Sequence, residues 1–468
     1  MVADFKTAIV LAAFIAISPA TTSAQTAIVL AAFIAISPAT TSAQTASVDD
    51  SIRRLRDADV AVVGAQLASL RDSSLNDSRV IAELVILLDD LRILEKRMAP
   101  AGSETIQDRA WYCTLKLNSS AVPRILASMK TLRSDRAIQL ALAAIARIGK
   151  EDASIFAELM PYTRSATVVT RSHAIGALDA VGGNDSNTVA QLAAFLKDDH
   201  PNVRWATVNT LRKRLDHLGP ALEILIELLN DDSDVHVLIS NHAAIPQKLC
   251  GRVAELLAEI GPPAKSAIPR LRQLMNSFSD QDVRVWAACA VCMISETAPP
   301  DALEVIGEVL LSGMQKKYGG NDAAAAITKL GPRGLPLVDE LQNARNHKSP
   351  TVRRAIIAAF FAVDPEKAIS RTLPLVEDKD ELVAQTAIRA ISSRCNSDRE
   401  VIDSYIAALE RFDGIYSEPA NAAIDALEKL GALAESAIPA LKRLSDNDKA
   451  PETLREKAAL AAKRIEQP

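Results

Sequence analysis

The chain has 468 residues, of which 49% are hydrophobic, 24% charged and only 4% aromatic, with a formal net charge of −5. An ordinary apolar fraction with so small a net charge excludes a disordered chain, and 53 basic against 58 acidic side chains argue against a nucleic-acid binder. The 17 glycines are roughly half the usual share and argue against a fold rich in tight strand-to-helix turns; abundant alanine and leucine point to closely packed helices.

In chain order, the first feature is a duplication. Thr7–Gln25 reads TAIVLAAFIAISPATTSAQ, and Thr26–Gln44 repeats it letter for letter. Structural repeats keep a pattern and drift in letters, so identity over 19 residues marks a recent tandem copy in the coding sequence. Each copy carries an 11-residue apolar stretch followed by Ser-Pro and small residues. That length suits the apolar region of a secretory signal and is short for a membrane span of about 20 residues. Residues 1–43 are therefore expected to be a signal peptide cleaved after Ala43, with Ala24 the alternative site and a buried or membrane-tethering apolar tail the competing reading. The expected location is the periplasm, envelope or exterior of a bacterial cell. No later run is long and apolar enough to span a membrane.

Residues 44–130 are irregular. Val80–Met98 has helical periodicity, and Ala121-Val122-Pro123-Arg124 resembles a string found further on. They are expected to form N-terminal capping helices or degenerate repeats, since terminal repeats of a stack are atypical.

Residues 131–468 contain the string V-R-x-x-A-x-x-A-L. Its second small-residue slot falls at 144, 177, 210, 256, 290, 326, 359, 390, 426 and 461. Most gaps are 31–36 residues, and one is 46. Small residues at i and i+3 with aliphatics at i+4 and i+7 share one helical face, so the string reads as the second helix, B, of a two-helix unit. Before it come Gly219-Pro220, Gly261-Pro262, Gly331-Pro332 and Gly431, then Ala267-Ile268-Pro269 and Ala437-Ile438-Pro439. Glycine there suits the left-handed residue that ends a helix; proline suits a start or kink of helix A. Acidic turns such as Asp280-Gln281-Asp282 would cap helix B. The long gap leaves extra sequence around Ile239–Lys248, expected to be a protruding loop, and places His236 in the arginine slot.

These strings resemble HEAT repeats, of the subtype also called PBS-lyase-like HEAT repeats, over roughly residues 130–468. The resemblance implies an all-α fold, a right-handed α-solenoid of about ten to twelve two-helix repeats. One HEAT-repeat enzyme family, the deoxyhypusine hydroxylases, holds iron through His-Glu pairs, and the dipeptide His-Glu occurs nowhere in this chain. Nothing in the sequence identifies a bilin site of the lyase kind, and no metal or cofactor is expected. Cys289-x-x-Cys292 lies inside helix B rather than at a helix N-terminus, which suits small buried side chains rather than redox chemistry. Five cysteines leave at least one thiol unpaired.

Arg171, Arg204, Arg284 and Arg353 recur in one slot. They are read as an Asp–Arg ladder joining successive repeats, with Asp282 among its acidic members; the competing reading is a basic stripe gripping an acidic partner. Trp205 and Trp286 lie close to those arginines. Exposed, they would anchor a partner protein; buried, they would pack between repeats. The expected function is non-enzymatic protein binding along the surface lined by the B helices. The alternatives are an enzyme or metal- or ligand-binding protein whose site is assembled across repeats, and a self-assembling envelope protein.

Overall fold

The computed structural model describes residues 48–71, 77–95, 104–240, 243–312, 320–394, 397–411 and 418–466. The expected signal segment, its cleavage sites at Ala24 and Ala43, and Cys395 lie outside the described residues. The chain divides into two compact units, Met1–Gly183 and Asn184–Pro468. In the first unit, the helices before and after residue 130 pack on one another as successive pairs.

In the first unit, helix α1 (Val60–Arg71) precedes three antiparallel pairs: α2 (Ser78–Ile86) with α3 (Ile106–Thr114), α4 (Val122–Met129) with α5 (Asp135–Ile148), and α6 (Ala153–Leu159) with α7 (Val168–Val181). A short antiparallel pair, β1 (Ile93–Glu95) and β2 (Glu104–Thr105), leads into α3. Thr105 then caps α3 in a reciprocal box with Asp108.

The second unit contains eight pairs. The A helices are α8 (Ser186–Ala193), α10 (Gly219–Glu227), α12 (Ile268–Ser277), α14 (Pro300–Ser312), α16 (Val338–Asn343), α18 (Ala368–Thr372), α20 (Arg399–Glu410) and α22 (Ile438–Ser445). The B helices are α9 (Pro201–Leu211), α11 (Leu249–Ile260), α13 (Gln281–Ile294), α15 (Asn321–Leu330), α17 (Pro350–Val363), α19 (Glu381–Ser392), α21 (Glu418–Leu430) and α23 (Glu452–Glu466). These make eleven pairs, besides α1 and the helix at residues 48–55 that precedes it. Within each unit, every B helix packs on its own A helix and on the B helices next to it, so that each unit is an all-α stack of solenoid repeats. B helices lie closer together than A helices because their contact positions are small: Ala254, Ala287, Ala290, Ala323, Ala326, Ala359, Ala387, Ala423 and Ala426 are all buried. Every pair buries its own aliphatics, and each buried Leu, Ile or Val contributes about 1.5–3 kcal/mol against the entropy of ordering the chain.

The turn chemistry explains why the units are so regular. Gly261, Gly331 and Gly431 end B helices at φ 69, 57 and 55°, a region that a Cβ disfavours. Gly149 and Gly182 close α5 and α7 in extended conformations instead, at φ −57 and −78°. In the Ala-Ile-Pro strings, α12 and α22 begin at the isoleucine with proline in the first turn, so proline starts these helices rather than kinking them. Asp280 and Asp380 cap α13 and α19 through their carboxylates. His200, not an aspartate, caps α9, its Nδ1 accepting from the Asn202 N–H at 3.2 Å.

The 46-residue gap differs from the expected loop. It holds an antiparallel hairpin, β3 (Asp234–Ser240) and β4 (Ala243–Lys248), paired from Asp234↔Lys248 inward and closed at its base by a 3.0 Å Lys248–Asp234 ion pair. The apolar, β-branched run Val235-His236-Val237-Leu238-Ile239 favours a strand once no helix register claims it. His236 consequently lies in a strand, and Cys250, fully buried in α11, takes the place of the arginine.

Candidate functional site

The arginine slot has a consistent geometry. Arg171, Arg204 and Arg353 each turn back so that Nη1 donates to the carbonyls six and five residues earlier: Ser165 and Ala166, Asp198 and Asp199, His347 and Lys348. Each guanidinium thereby satisfies the orphan carbonyls where helix A hands over to helix B. Arg284 reaches further back, to the Met275 carbonyl at 3.1 Å.

Arg204, Arg284 and Arg353 also reach a carboxylate in the following repeat. Arg204 meets Asp231 at 2.6 Å, Arg284 meets Glu308 at 3.1 Å, and Arg353 grips Asp378 through two parallel bonds of 2.7 Å. The last pair is nearly sealed, with side chains 4% and 7% exposed. The Asp378 hydrogen bond raises the Arg353 pKa further above its ordinary value. Asp231 titrates below the usual carboxylate range: burial would raise it, and bonds from Ser233 and Arg204 outweigh burial. Asp282, expected in this ladder, meets no slot arginine. It faces a different partner.

That partner belongs to a second stack on the B-helix face. Arg252 (α11), Trp286 (α13) and Asp322 (α15) stand one helical turn before the repeat markers Leu256, Ala290 and Ala326, so they occupy equivalent positions in three successive repeats. The Arg252 guanidinium lies 5.4 Å from the centre of the indole ring. The indole N–H donates to Asp322 Oδ1 at 2.9 Å. Arg252 Nη2 is 3.7 Å from the same oxygen. Lys329 Nζ stands 6.0 Å from the centre of the same ring. Around this core, Arg212 pairs with Glu255 and Glu259 at 3.1 and 3.3 Å, Arg252 with Glu255 at 3.0 Å, and Lys329 with Glu259 at 2.5 Å.

Asp282 lies one turn before Trp286 on α13, near enough to Asp322 to feel its charge. Burial, then the charges of Asp322 and Asp280, push Asp282 up to about 7, with Arg252 opposing them. The slot arginines take Asp231, Glu308 and Asp378 instead of Asp282.

The two tryptophans separate. Trp286 is 3% exposed. It is therefore no exposed anchor for a partner; it is the centre of a cation–π and hydrogen-bond stack. Trp205 is half-buried on α9 and sits one residue earlier in its repeat register, about 100° around the helix from the position of Trp286. The signal that finds the stack is the repeat register itself, applied to every position and not only to the arginine slot.

Other chemistry is internally committed. Cys113, Cys250, Cys289 and Cys292 are free and buried. Burial pushes Cys292 up to about 12 and Cys250 to about 11, and raises Cys289 as well. Such thiols are poor nucleophiles at neutral pH. Among the described residues, no group of three or more His, Cys, Asp or Glu is arranged to hold a metal ion. No helix among them is long and apolar enough to cross a membrane. An open depression in the first unit is lined by Ile86, Asp89 and Thr131–Ser134, and the Asp89 carboxylate there is already occupied by the N–H groups of Arg133 and Ser134.

Residues 156–240 match the family described as HEAT repeats. That stretch is built of HEAT repeats. Among solved structures it is similar to yeast importin-β (Kap95p), with 11% identity, 88% of this chain and 59% of that one covered, and a TM-score of 0.47. It is also similar to Kap121p, at 14% identity, covering 89% and 48%, TM-score 0.38. A third likeness is to the CpcE–CpcF complex of phycocyanin lyase from Nostoc, at 16% identity, covering 55% and 94%, TM-score 0.32. The chain spans about half the length of the Kap121p chain it matches. No curated protein matches it in sequence.

Proposed function

We propose that this HEAT-repeat chain is a protein-binding scaffold whose contact surface is the B-helix face of the second unit. The observation that carries the reading is the charged field on α9, α11, α13 and α15. Arg212, Glu259, Asp322 and Lys329 keep 17–27% of their side chains exposed while ion pairs fix their positions. Groups of both signs, held in place before any partner arrives, favour register and specificity in an interface. Stacked repeats extend such a surface without needing a deep pocket. Half-buried Trp205 borders the same field and would supply apolar area.

The scaffold reading is tested by affinity capture of the tagged chain Gln44–Pro468 from its own cells, compared with a variant carrying Trp205→Ala and Lys329→Gln. A dominant partner captured by the parent and lost by the folded variant supports this surface. Capture unchanged by both substitutions moves the interface elsewhere. A copurifying small molecule or metal at near-unit stoichiometry, without a protein partner, overturns the scaffold reading.

We further propose that residues 1–43 direct export and are removed after Ala43. The support is the apolar stretch followed by Thr-Ser-Ala at 41–43, preceded by an identical copy. Intact-mass measurement of the cell-made protein decides it: a chain starting at Gln44 supports the proposal, and a chain retaining the segment refutes it.

A further inference from the structure

We propose that the ion pairs Glu259–Lys329 and Arg252–Asp322 form a strap across α13 that ties α11 directly to α15 and seals Cys289 beneath it. The inference goes beyond the scaffold reading, because it concerns how the surface is held and not what it binds.

Three observations carry it. The first is reach. The ladder arginines join each repeat to the next, whereas these two pairs skip a repeat. Lys329 Nζ of α15 lies 2.5 Å from Glu259 of α11, and Arg252 Nη2 of α11 lies 3.7 Å from Asp322 of α15. Packed helices stand about 8–10 Å apart, so only long side chains passing over α13 make such contacts. The two crossings are seven residues apart on both helices, about two turns. Together they hold the junctions on either side of α13 as one block.

The second is what they enclose. Between the two levels, α13 presents Trp286 and Cys289. Trp286 is 3% exposed, and its ring centre is 5.4 Å from Arg252 and 6.0 Å from Lys329. Cys289 stands one residue before its repeat marker. In every other B helix of the second unit that position is exposed or half-exposed, as at Asn209, Ala358, Arg389 and Leu460, while Cys289 is fully buried. Its thiol leans toward the Ala326 carbonyl of α15 at 3.8 Å. Besides burial and the Cys292 thiol, the groups acting on Cys289 are Lys329, Glu255 and Glu259, so the charges of the strap lie beside it.

The third is that these bonds open to solvent before the core does. The Lys329 and Glu259 side chains are 25% and 17% exposed. Glu259 is shared with Arg212 at 3.3 Å, and Arg252 with Glu255 at 3.0 Å. Part-exposed pairs are individually weak and are screened by salt, whereas the alanines and leucines that pack α11, α13 and α15 together are not. Local opening of the strap therefore leaves the repeats folded.

The experiment uses the whole chain and measures, at one pH, the rate at which N-ethylmaleimide alkylates each cysteine, read by peptide mass spectrometry. Glu259→Gln and Lys329→Gln each remove one charge, and the double variant removes both. Cys250 and Cys292 report general loosening, since the charged groups around them are Asp232, Asp231 and Asp280 for one and Asp301, Arg333 and Arg272 for the other. Cys289 is expected to react at least about fivefold faster in either single variant and no faster again in the double, because one interaction can be lost only once. Cys250 and Cys292 should stay within about twofold of the parent. In the parent, raising salt from about 0.05 to 1 M should accelerate Cys289 alone; this arm needs no variant, should the substitutions prevent folding. A Cys289 rate unchanged in both variants or indifferent to salt, independent multiplying effects of the two substitutions, or equal acceleration of all three thiols overturns the strap. No binding partner enters the readout, so failure of the scaffold reading leaves the test intact.

Discussion

Arg353→Met is expected to weaken the second unit more than any surface ion-pair substitution. In the parent, the guanidinium makes two 2.7 Å bonds to Asp378 and donates to the His347 and Lys348 carbonyls. Both partners are almost without solvent, at 4% and 7% side-chain exposure, so screening does little. Removing one member of a buried pair leaves an uncompensated charge, typically about 3–5 kcal/mol. The freed turn carbonyls add about 1 kcal/mol. Replacing both partners by apolar residues of similar volume costs far less, because no charge is stranded. The assay is urea unfolding by far-ultraviolet circular dichroism on the parent, Arg353→Met, Asp378→Leu and the double variant. Each single substitution should cost about 3–5 kcal/mol, and the double variant clearly less than their sum. Because stacked repeats unfold by nearest-neighbour rules, the singles should also separate one transition into two at the α17–α19 junction. A cost below about 1 kcal/mol for Arg353→Met, the range of an exposed ion pair, or strict additivity, would show that the pair is dispensable and the reasoning wrong.

Asp282→Asn should raise stability with the sign of a lifted carboxyl group. Its folded pKa is pushed up to about 7, so its stabilising contribution is complete below the ordinary carboxylate range and is lost as pH rises through neutral. A fully sealed carboxyl lifted that far would be worth about 4 kcal/mol; partial exposure reduces this to about 1–2 kcal/mol. Thermal melts of parent and variant should therefore diverge from pH 5 to pH 8, and parallel curves would contradict the assignment. Asp231→Asn should behave in the opposite sense, since Asp231 titrates below its ordinary range: destabilising at pH 7, with the difference vanishing as pH falls below the carboxylate range in the same melts. Gly431→Ala should cost about 1–2 kcal/mol from backbone strain alone, because φ is 55° and nothing lies within 4 Å of the added Cβ; an unchanged denaturation midpoint would refute it. Trp286→Phe keeps the ring and removes the bond to Asp322, and should cost about 1–3 kcal/mol, against under about 0.5 kcal/mol for Trp205→Phe, measured by the same urea titration.

How much of this was legible in the sequence follows from what repeats and what does not. The repeat spacing, the Gly-Pro boundaries and the small-residue face are the same physical requirement met in pair after pair, so periodicity exposes them. The arginine slot is equally periodic, yet its letters do not disclose that the guanidinium first serves its own turn, since the carbonyls it binds belong to the backbone. Asp282 shows the limit most clearly. In sequence it resembles the acidic turn of every other repeat, and Asp280, two residues earlier, takes the capping role that the pattern offers to either. Which of two neighbouring aspartates caps and which faces the next helix is decided by about 200° of rotation around α13, and by the presence of Asp322 rather than alanine on α15. Arg252, Trp286 and Asp322 share one register position but no chemical type, so a search for recurring letters passes over them. In a solenoid, structure resides in the positions that repeat. Departures such as this stack, where one register position changes from cation to indole to carboxylate across three repeats, are where a generic scaffold acquires a surface of its own.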